Sequence, residues 1–185
     1  MEIIIVLVIL VVVVGVIVTY NQLVTLKNNR EQAFSDVDVQ LKLRYDLVPN
    51  LVNVVKGYAT HEQTTFEDIA KMRSLAMGAQ GIDDRVDAEN KFNGTLKTLF
   101  AVAENYPELK ANQNFLQLQG QLADIENKIA AARRFFNNAT KEFNTVIMSF
   151  PANTLNMVFR FQVGSFFELG EETAVTRENV KVKID

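Results

Sequence analysis

The 185-residue chain contains no cysteine and no tryptophan, a single histidine and three prolines. The absence of cysteine excludes disulfides, thiolate metal ligands, cysteine nucleophiles and a lipid-modified cysteine anchor. Three widely spaced prolines are typical of the breaks between long helices. The formal net charge is −3 with both signs mixed, so the composition shows no basic surface of the kind that binds nucleic acid.

The longest apolar run begins at the third residue and carries no charged side chain. Its sixteen residues are Ile3, Ile4, Ile5, Val6, Leu7, Val8, Ile9, Leu10, Val11, Val12, Val13, Val14, Gly15, Val16, Ile17 and Val18. As a helix the run covers about 24 Å, and its flanking residues extend it toward the roughly 30 Å of a bilayer core. We interpret it as a transmembrane anchor whose partner is the lipid bilayer.

Two other interpretations of this run remain open, a cleaved signal peptide and a buried strand or core helix of a soluble protein. A signal peptide requires a cationic start and a small-x-small cleavage site. Only Met1 and Glu2 precede the run, and no such site follows it. Lys27 and Arg30 come after it, so the positive-inside rule predicts the N-terminus outside and the following domain in the cytoplasm.

Apolar residues at helical spacing predict about four long helices. The anchor is expected to continue as one rod that ends or kinks at Pro49, because the residue before a proline avoids the helical region. A second helix should run from Pro49 to the glycines at 78–81, and a third should open at Asp83 or Asp84 and stop at 106–107. A short helix is expected within 155–167. The alternating tail 179–185 is either a strand that needs an edge to pair with or a frayed terminus.

The fourth helix has the most regular pattern. Eleven apolar positions alternate steps of three and four between Phe115 and Phe150, which predicts a coiled-coil-like seam closed by Pro151. Polar residues follow one flank of this seam, and we interpret them as devices that fix the register between helices. They are Glu126, Arg133, Asn137 and Asn144, with Asp38 of the first helix as the predicted partner of Arg133. Ligand binding by the same residues is the alternative.

No catalytic, cofactor-binding or metal-binding motif is recognisable. His61 is followed by a glutamate, as in half of a zinc-protease motif, but the second histidine is missing. One histidine also cannot supply a di-iron bundle site. The sequence therefore favours a protein that is not an enzyme and holds no cofactor.

Six segments resemble the LemA family and follow one another in order along most of the chain. They are 20–24 (YNQLV), 37–42 (VDVQLK), 44–52 (RYDLVPNLV), 55–62 (VKGYATHE), 104–112 (ENYPELKAN) and 126–133 (ENKIAAAR). The resemblance implies a bacterial inner-membrane protein with a short external N-terminus, a cytoplasmic helical bundle and no established enzymatic activity. It also implies an association of one branch with magnetosome membranes, and a membrane protease or another membrane protein as a partner.

These observations predict an all-α protein, in which a transmembrane helix is continuous with an antiparallel up-and-down bundle of about four long helices. The expected domains are an anchor at 1–20, a cytoplasmic bundle at 21–168 and a tail at 169–185. The leading functional hypothesis is a single-pass, membrane-tethered scaffold or adaptor. The alternative is a structural protein that assembles into homo-oligomeric rings or patches on the membrane. An enzyme or transporter comes third, because a single span without ionisable residues makes a poor polar pathway.

Overall fold

The computed structural model describes residues 1–168, and every regular element in that range is an α-helix. This confirms the predicted all-α fold. The helices are α1 (Glu2–Lys56), α2 (Gln63–Gly78), α3 (Ile82–Glu104), α4 (Pro107–Lys110), α5 (Gln113–Met148) and α6 (Ala152–Phe159). The predicted strand at 179–185 lies outside the described residues.

The chain forms two compact units. Unit 1 consists of Met1–Asp38 and Ala131–Phe166, and unit 2 consists of Val39–Ala130 with the described residues that follow Phe166. The long helices α1 and α5 each contribute residues to both units. The predicted domain boundaries at 20 and 168 are a different division, based on membrane and water, and they stay predictions.

In unit 1, α1 and α5 run antiparallel. Leu23 packs in one cluster with Phe143 and Ile147, whereas the Phe34 ring lies 5.5 Å from the ring of Phe136. Later residues of α1 therefore contact earlier residues of α5, as antiparallel packing requires. Helix α6 closes the end of the unit, where Ala152 joins the same cluster as Leu23.

In unit 2, α2 and α3 pack against each other across a three-residue turn. Gly81 in that turn has a φ of 83°, a conformation that glycine adopts without steric cost. Helix α3 therefore begins at Ile82, one residue before the predicted aspartates, which instead occupy its first turn. Their charges still favour the positive end of the helix dipole. The predicted apolar stripe of α3 is buried: Phe92, Leu96, Leu99 and Ala103.

The predicted helix boundary at Pro49 is wrong, because α1 continues through Pro49 to Lys56. A proline inside a helix leaves the carbonyl four residues earlier without its N–H partner. That carbonyl belongs to Tyr45, and Arg73 of α2 donates its Nε–H to it at 2.6 Å. The helix ends at Lys56, directly before Gly57.

The buried face of α5 differs from the predicted seam. Every seventh position is buried as expected, namely Phe115, Leu122, Ile129, Phe136 and Phe143. The other predicted seam positions are only half-buried, and the last of them, Phe150, is 83% exposed. In the second half of the helix the polar residues Arg133, Thr140 and Asn144 are the more deeply buried. The apolar pattern predicted the helix correctly. In the second half of the helix, however, the buried face is shifted by one residue toward the C-terminus from the predicted seam.

The short helix expected within 155–167 begins and ends earlier than predicted. Helix α6 spans Ala152–Phe159 and stops at Arg160, whose φ of 56° is left-handed. The remaining residues to 168 form an extended strap without regular structure. The sequence also gave no sign of α4, a single turn that begins at Pro107.

Candidate functional site

The apolar run forms the first part of α1 and faces outward along nearly its whole length. Apart from Gly15 and Val16, its residues are about half to three-quarters exposed, from 48% for Val13 to 78% for Ile3. By length and composition this helix is able to cross a membrane. Exposed β-branched residues at this density suit hydrocarbon rather than water, where they favour aggregation.

The burial pattern changes at the end of the run. Val16 is half-buried and Thr19 is buried, with its hydroxyl donating to the Gly15 carbonyl at 2.8 Å. The ring of Tyr20 lies 4.9 Å from that of Phe159 and 6.1 Å from that of Phe161. The last turn of the run is therefore covered on one side by α6 and the strap.

Two asparagines hold the strap in place, each by binding both backbone groups of one residue. Asn144 accepts from the Gly164 N–H at 2.8 Å and donates to the Gly164 carbonyl at 2.9 Å. Asn156 makes the same pair of bonds with Phe161, at 2.7 and 2.9 Å. Because an amide both donates and accepts, it satisfies a strap that has no sheet to pair with.

Arg30 fastens the strap to the helices of unit 1. Its Nε–H donates to the Thr140 hydroxyl at 3.1 Å and its Nη2 donates to the Ser165 carbonyl at 3.2 Å. The guanidinium also lies 5.1 Å from the ring centre of Phe136. Burial lowers the pKa of Arg30, and the neighbouring Glu31 raises it in part, but a guanidinium remains charged at neutral pH.

Unit 2 contains a buried charge cluster centred on Arg44. Its guanidinium forms an ion pair with Glu89, and both side chains are only 1% exposed. Nη2 of Arg44 makes this pair, whereas its Nη1 donates to Asn93 Oδ1 at 2.8 Å and to Glu126 Oε1 at 2.9 Å. The Tyr45 hydroxyl donates to Glu89, so the buried carboxylate is also hydrogen-bonded. The cluster joins α1 to α3 by two charges that are withdrawn from water, and α1 to α5 through Glu126, whose side chain is partly exposed.

The Arg44 cluster has the chemistry of a structural core rather than of a reaction centre. Arg44 lies 5.2 Å from the Phe92 ring centre, and the Tyr45 ring packs against the same phenylalanine at 5.8 Å. In the part of the chain that the structure describes, no group of three or more histidine, cysteine or carboxylate side chains is placed to hold a metal ion. His61 is exposed in the turn after α1.

Unit 2 also has open grooves on its surface. One, of about 610 Å³, lies between α2 and α3 and is bordered by Met72, Leu75, Asp84 and Lys91 among others. Another, of about 290 Å³, is lined by residues on either side of Pro49 and by Phe66, Ile69 and Arg73. Both are shallow and mainly suited to a macromolecular partner rather than to an enclosed small molecule.

Comparison with known protein families gives a match to the LemA family model over residues 33–184. The chain belongs to the LemA family. Similar proteins include Magnetosome protein MamQ 2 of Paramagnetospirillum magneticum, which is 23% identical over 175 residues. That alignment covers 80% of this chain and 64% of the relative.

Two further relatives agree with the LemA match. Magnetosome protein MamQ of Magnetospirillum gryphiswaldense is 24% identical over 174 residues, and the alignment covers 80% of this chain and 64% of that relative. Protein LemA of Metamycoplasma hominis is 28% identical over 138 residues, and the alignment covers 72% of this chain and 61% of that relative. The chain therefore spans less than two-thirds of the length of these relatives.

Within this LemA-family chain, the structure places the five predicted register residues in different settings. Glu126 contacts Arg44 in unit 2, and Asn144 binds the strap in unit 1. Arg133 is buried, whereas Asp38 and Asn137 are half-buried. The register role of these residues and the Asp38–Arg133 ion pair stay predictions.

The sequence interpretation missed Arg44, Glu89 and Arg30. A signal for two of them was present: Glu89 lies three residues before Phe92 and seven before Leu96, so it continues the apolar stripe of α3. Arg44 lies three residues after Leu41, on the buried face of α1. Charged residues of opposite sign on two buried faces predict an ion pair between those helices.

Proposed function

We propose that the chain is a single-pass, membrane-tethered scaffold or adaptor without enzymatic activity. In this proposal residues 3–18 cross the bacterial inner membrane, the N-terminus lies outside, and the helices that follow lie in the cytoplasm. The cations Lys27 and Arg30, which follow the apolar run, support this orientation through the positive-inside rule.

One observation carries the proposal. The apolar run and the helix that bears Arg44 are a single uninterrupted helix, Glu2–Lys56. A flexible linker would let an anchored domain act anywhere within reach. A continuous helix instead fixes the angle at which the chain leaves the membrane, which is useful for presenting a surface to a partner.

We assign the partner to the groove of about 610 Å³ between α2 and α3. Leu75, which lines the groove, is about half exposed although it is apolar. Asp84, Asp87 and Lys91 line the same groove and supply charges for selecting a partner. An apolar centre with a charged rim is the usual composition of a protein interface.

Site-specific cross-linking in membranes tests the adaptor hypothesis. A photo-reactive amino acid at Leu75 should capture a reproducible second protein when membranes containing the full chain are irradiated. The matched control carries the same group at Lys128, an exposed residue of α5 in unit 2. Equal capture from both positions, or recovery of nothing but copies of this chain from Leu75, would count against the adaptor.

A self-assembling structural protein is the second candidate. The uniform β-branched run supports a role in which many copies occupy one membrane region. The mass of the full chain in detergent distinguishes the two: homo-oligomers that dissociate when residues 171–185 are removed favour assembly. A strictly monomeric mass rules it out.

A further inference from the structure

Apolar side chains protrude from unit 1 at a second place besides the apolar run. Phe150 is 83% exposed, Met157 81% and Val158 77%. These values exceed those of nearly all the side chains in the run itself. We call these exposed residues of α6 and its flanks the α6 patch: Met148, Phe150, Met157, Val158 and Val163.

The α6 patch lies beside the end of the apolar run. Phe159, which directly follows Met157 and Val158, contacts the ring of Tyr20, and Phe161 does so from the strap. One turn further along α1, Leu23 packs with Ala152 at the start of α6. Both ends of α6 are therefore fixed to the turn of α1 that follows the run.

That position sets the depth of the patch if the run crosses a bilayer. About twenty helical residues fill the hydrocarbon core, so Tyr20 falls at the boundary between acyl chains and headgroups. Side chains attached next to Tyr20 reach the same boundary. Amphipathic elements bind there by placing apolar side chains about 5–10 Å into the bilayer.

We propose that the α6 patch inserts into the interfacial region of the same bilayer that holds the apolar run, as a second contact with lipid. This inference rests on the membrane tether of the proposed function. The exposed polar residues Asn153, Thr154 and Arg160 border the patch and suit the headgroup layer. With two contacts, the chain resists rotation about the axis of its span as well as withdrawal from the membrane.

Lipid is favoured over a second protein copy because the patch is held at membrane depth by contacts within unit 1. Asn156 and Asn144 fix the strap, and Arg30 binds it to the helices. A face held beside the span meets lipid in every copy, whatever the concentration of the protein. A protein partner would need a complementary surface at the same depth.

Tryptophan fluorescence tests the patch, because the natural chain contains no tryptophan. Met157→Trp in the full chain is reconstituted into phosphatidylcholine vesicles with or without lipids that carry bromine near the top of the acyl chain. The proposal predicts emission at shorter wavelength than in water and strong quenching by the brominated lipid. Val158→Trp gives the same readout should the first variant misfold.

The matched control is Phe135→Trp, an apolar residue of unit 1 that is 60% exposed. It lies thirteen residues before Met148 on α5, roughly 20 Å along the helix axis, and should escape quenching. Met157→Trp emission quenched no more than that of Phe135→Trp would overturn the proposal. So would a blue shift without quenching, which indicates that another copy covers the patch.

A third variant separates this inference from the proposed function. Leu10→Trp lies in the middle of the apolar run and reports whether the run itself is in lipid. Quenching of Leu10→Trp by brominated lipid without quenching of Met157→Trp rejects the α6 patch and keeps the tether. Absence of quenching at both positions rejects the tether and the patch together.

Discussion

Units 1 and 2 bury polar groups in different ways. In unit 1 the buried polar side chains Thr140 and Asn144 are neutral, and Asn144 bonds to backbone, although Arg133 is buried there as well. In unit 2, Arg44 and Glu89 place opposite charges against each other out of water. Breaking one hydrogen bond of a neutral amide lowers the free energy of unfolding only modestly. A buried charge that loses its partner lowers it much more, because its desolvation is no longer compensated. Unit 2 should therefore be the more sensitive to single polar substitutions.

The largest expected effect is in the Arg44 cluster. Arg44→Ala leaves Glu89 as a buried carboxylate without a counter-charge, which should lower the free energy of unfolding by about 3–5 kcal/mol. Urea titration followed by circular dichroism in detergent micelles measures the change.

Glu126→Gln is the matched control for that cluster. Its side chain is 42% exposed, so water screens the ion pair with Arg44 and the loss should be about 1 kcal/mol or less. Similar losses from both variants would mean that burial does not distinguish the two carboxylates. Replacing Arg44 and Glu89 together by methionine should restore most of the stability, because apolar residues of similar size often substitute for a buried pair.

The next effect concerns the continuity of α1 in unit 1. Asn28→Pro removes a helical hydrogen bond and should cost about 3 kcal/mol. Because the helix joins the apolar run to the rest of the chain, cross-linking from Leu75 in membranes should fall as well. Asn28→Ala is the control and should change neither property. Unaffected cross-linking from the proline variant would mean that the run is only a tether.

Pro49 offers the opposite case, a proline that the helix already accommodates. Arg73→Leu removes the donor to the Tyr45 carbonyl and should cost about 1–2 kcal/mol. In a Pro49→Ala background the new backbone N–H at position 49 bonds that carbonyl, so Arg73→Leu should cost less. Equal costs in both backgrounds, measured by urea titration, would show that Arg73 acts only through Asp46, 3.9 Å away.

The smallest effect is at the strap of unit 1. A Cβ on Gly164 would lie 2.5 Å from Arg30 Nε, so Gly164→Ala must displace the guanidinium from Thr140 and Ser165. We expect a loss of about 1 kcal/mol, limited because the arginine is flexible. Gly120→Ala in α5 has open space around its Cβ and should instead stabilise the helix by up to about 1 kcal/mol. Thermal melts of the two variants should shift in opposite directions.

Local patterns predicted most of the helices, because apolar spacing and helix breakers act within one or two turns. The pattern failed at Pro49, where the compensating donor, Arg73, comes from 24 residues further along the chain. It also failed on the flank of α5, where Thr140 is buried and its hydroxyl accepts a hydrogen bond from Arg30. Such pairings depend on which helices meet in three dimensions, and the local spacing of residues does not specify that.

The site was less predictable than the fold for the same reason. The apolar run was evident from composition, and Glu89 could have been found on the stripe of α3. The strap could not be predicted, because Asn144 and Asn156 bind backbone groups, and backbone groups do not depend on the sequence pattern of side chains. Its position beside Tyr20 follows only from the three-dimensional structure.

The most direct test of the account is the sidedness of α1. The natural chain lacks cysteine, so single cysteines report position without background. A cysteine in a short extension before Met1 should react with a membrane-impermeant maleimide in intact bacterial cells. Glu67→Cys, at an exposed position of α2, should react only after the inner membrane is opened. Equal labelling of the two cysteines in intact cells would contradict a membrane-spanning α1.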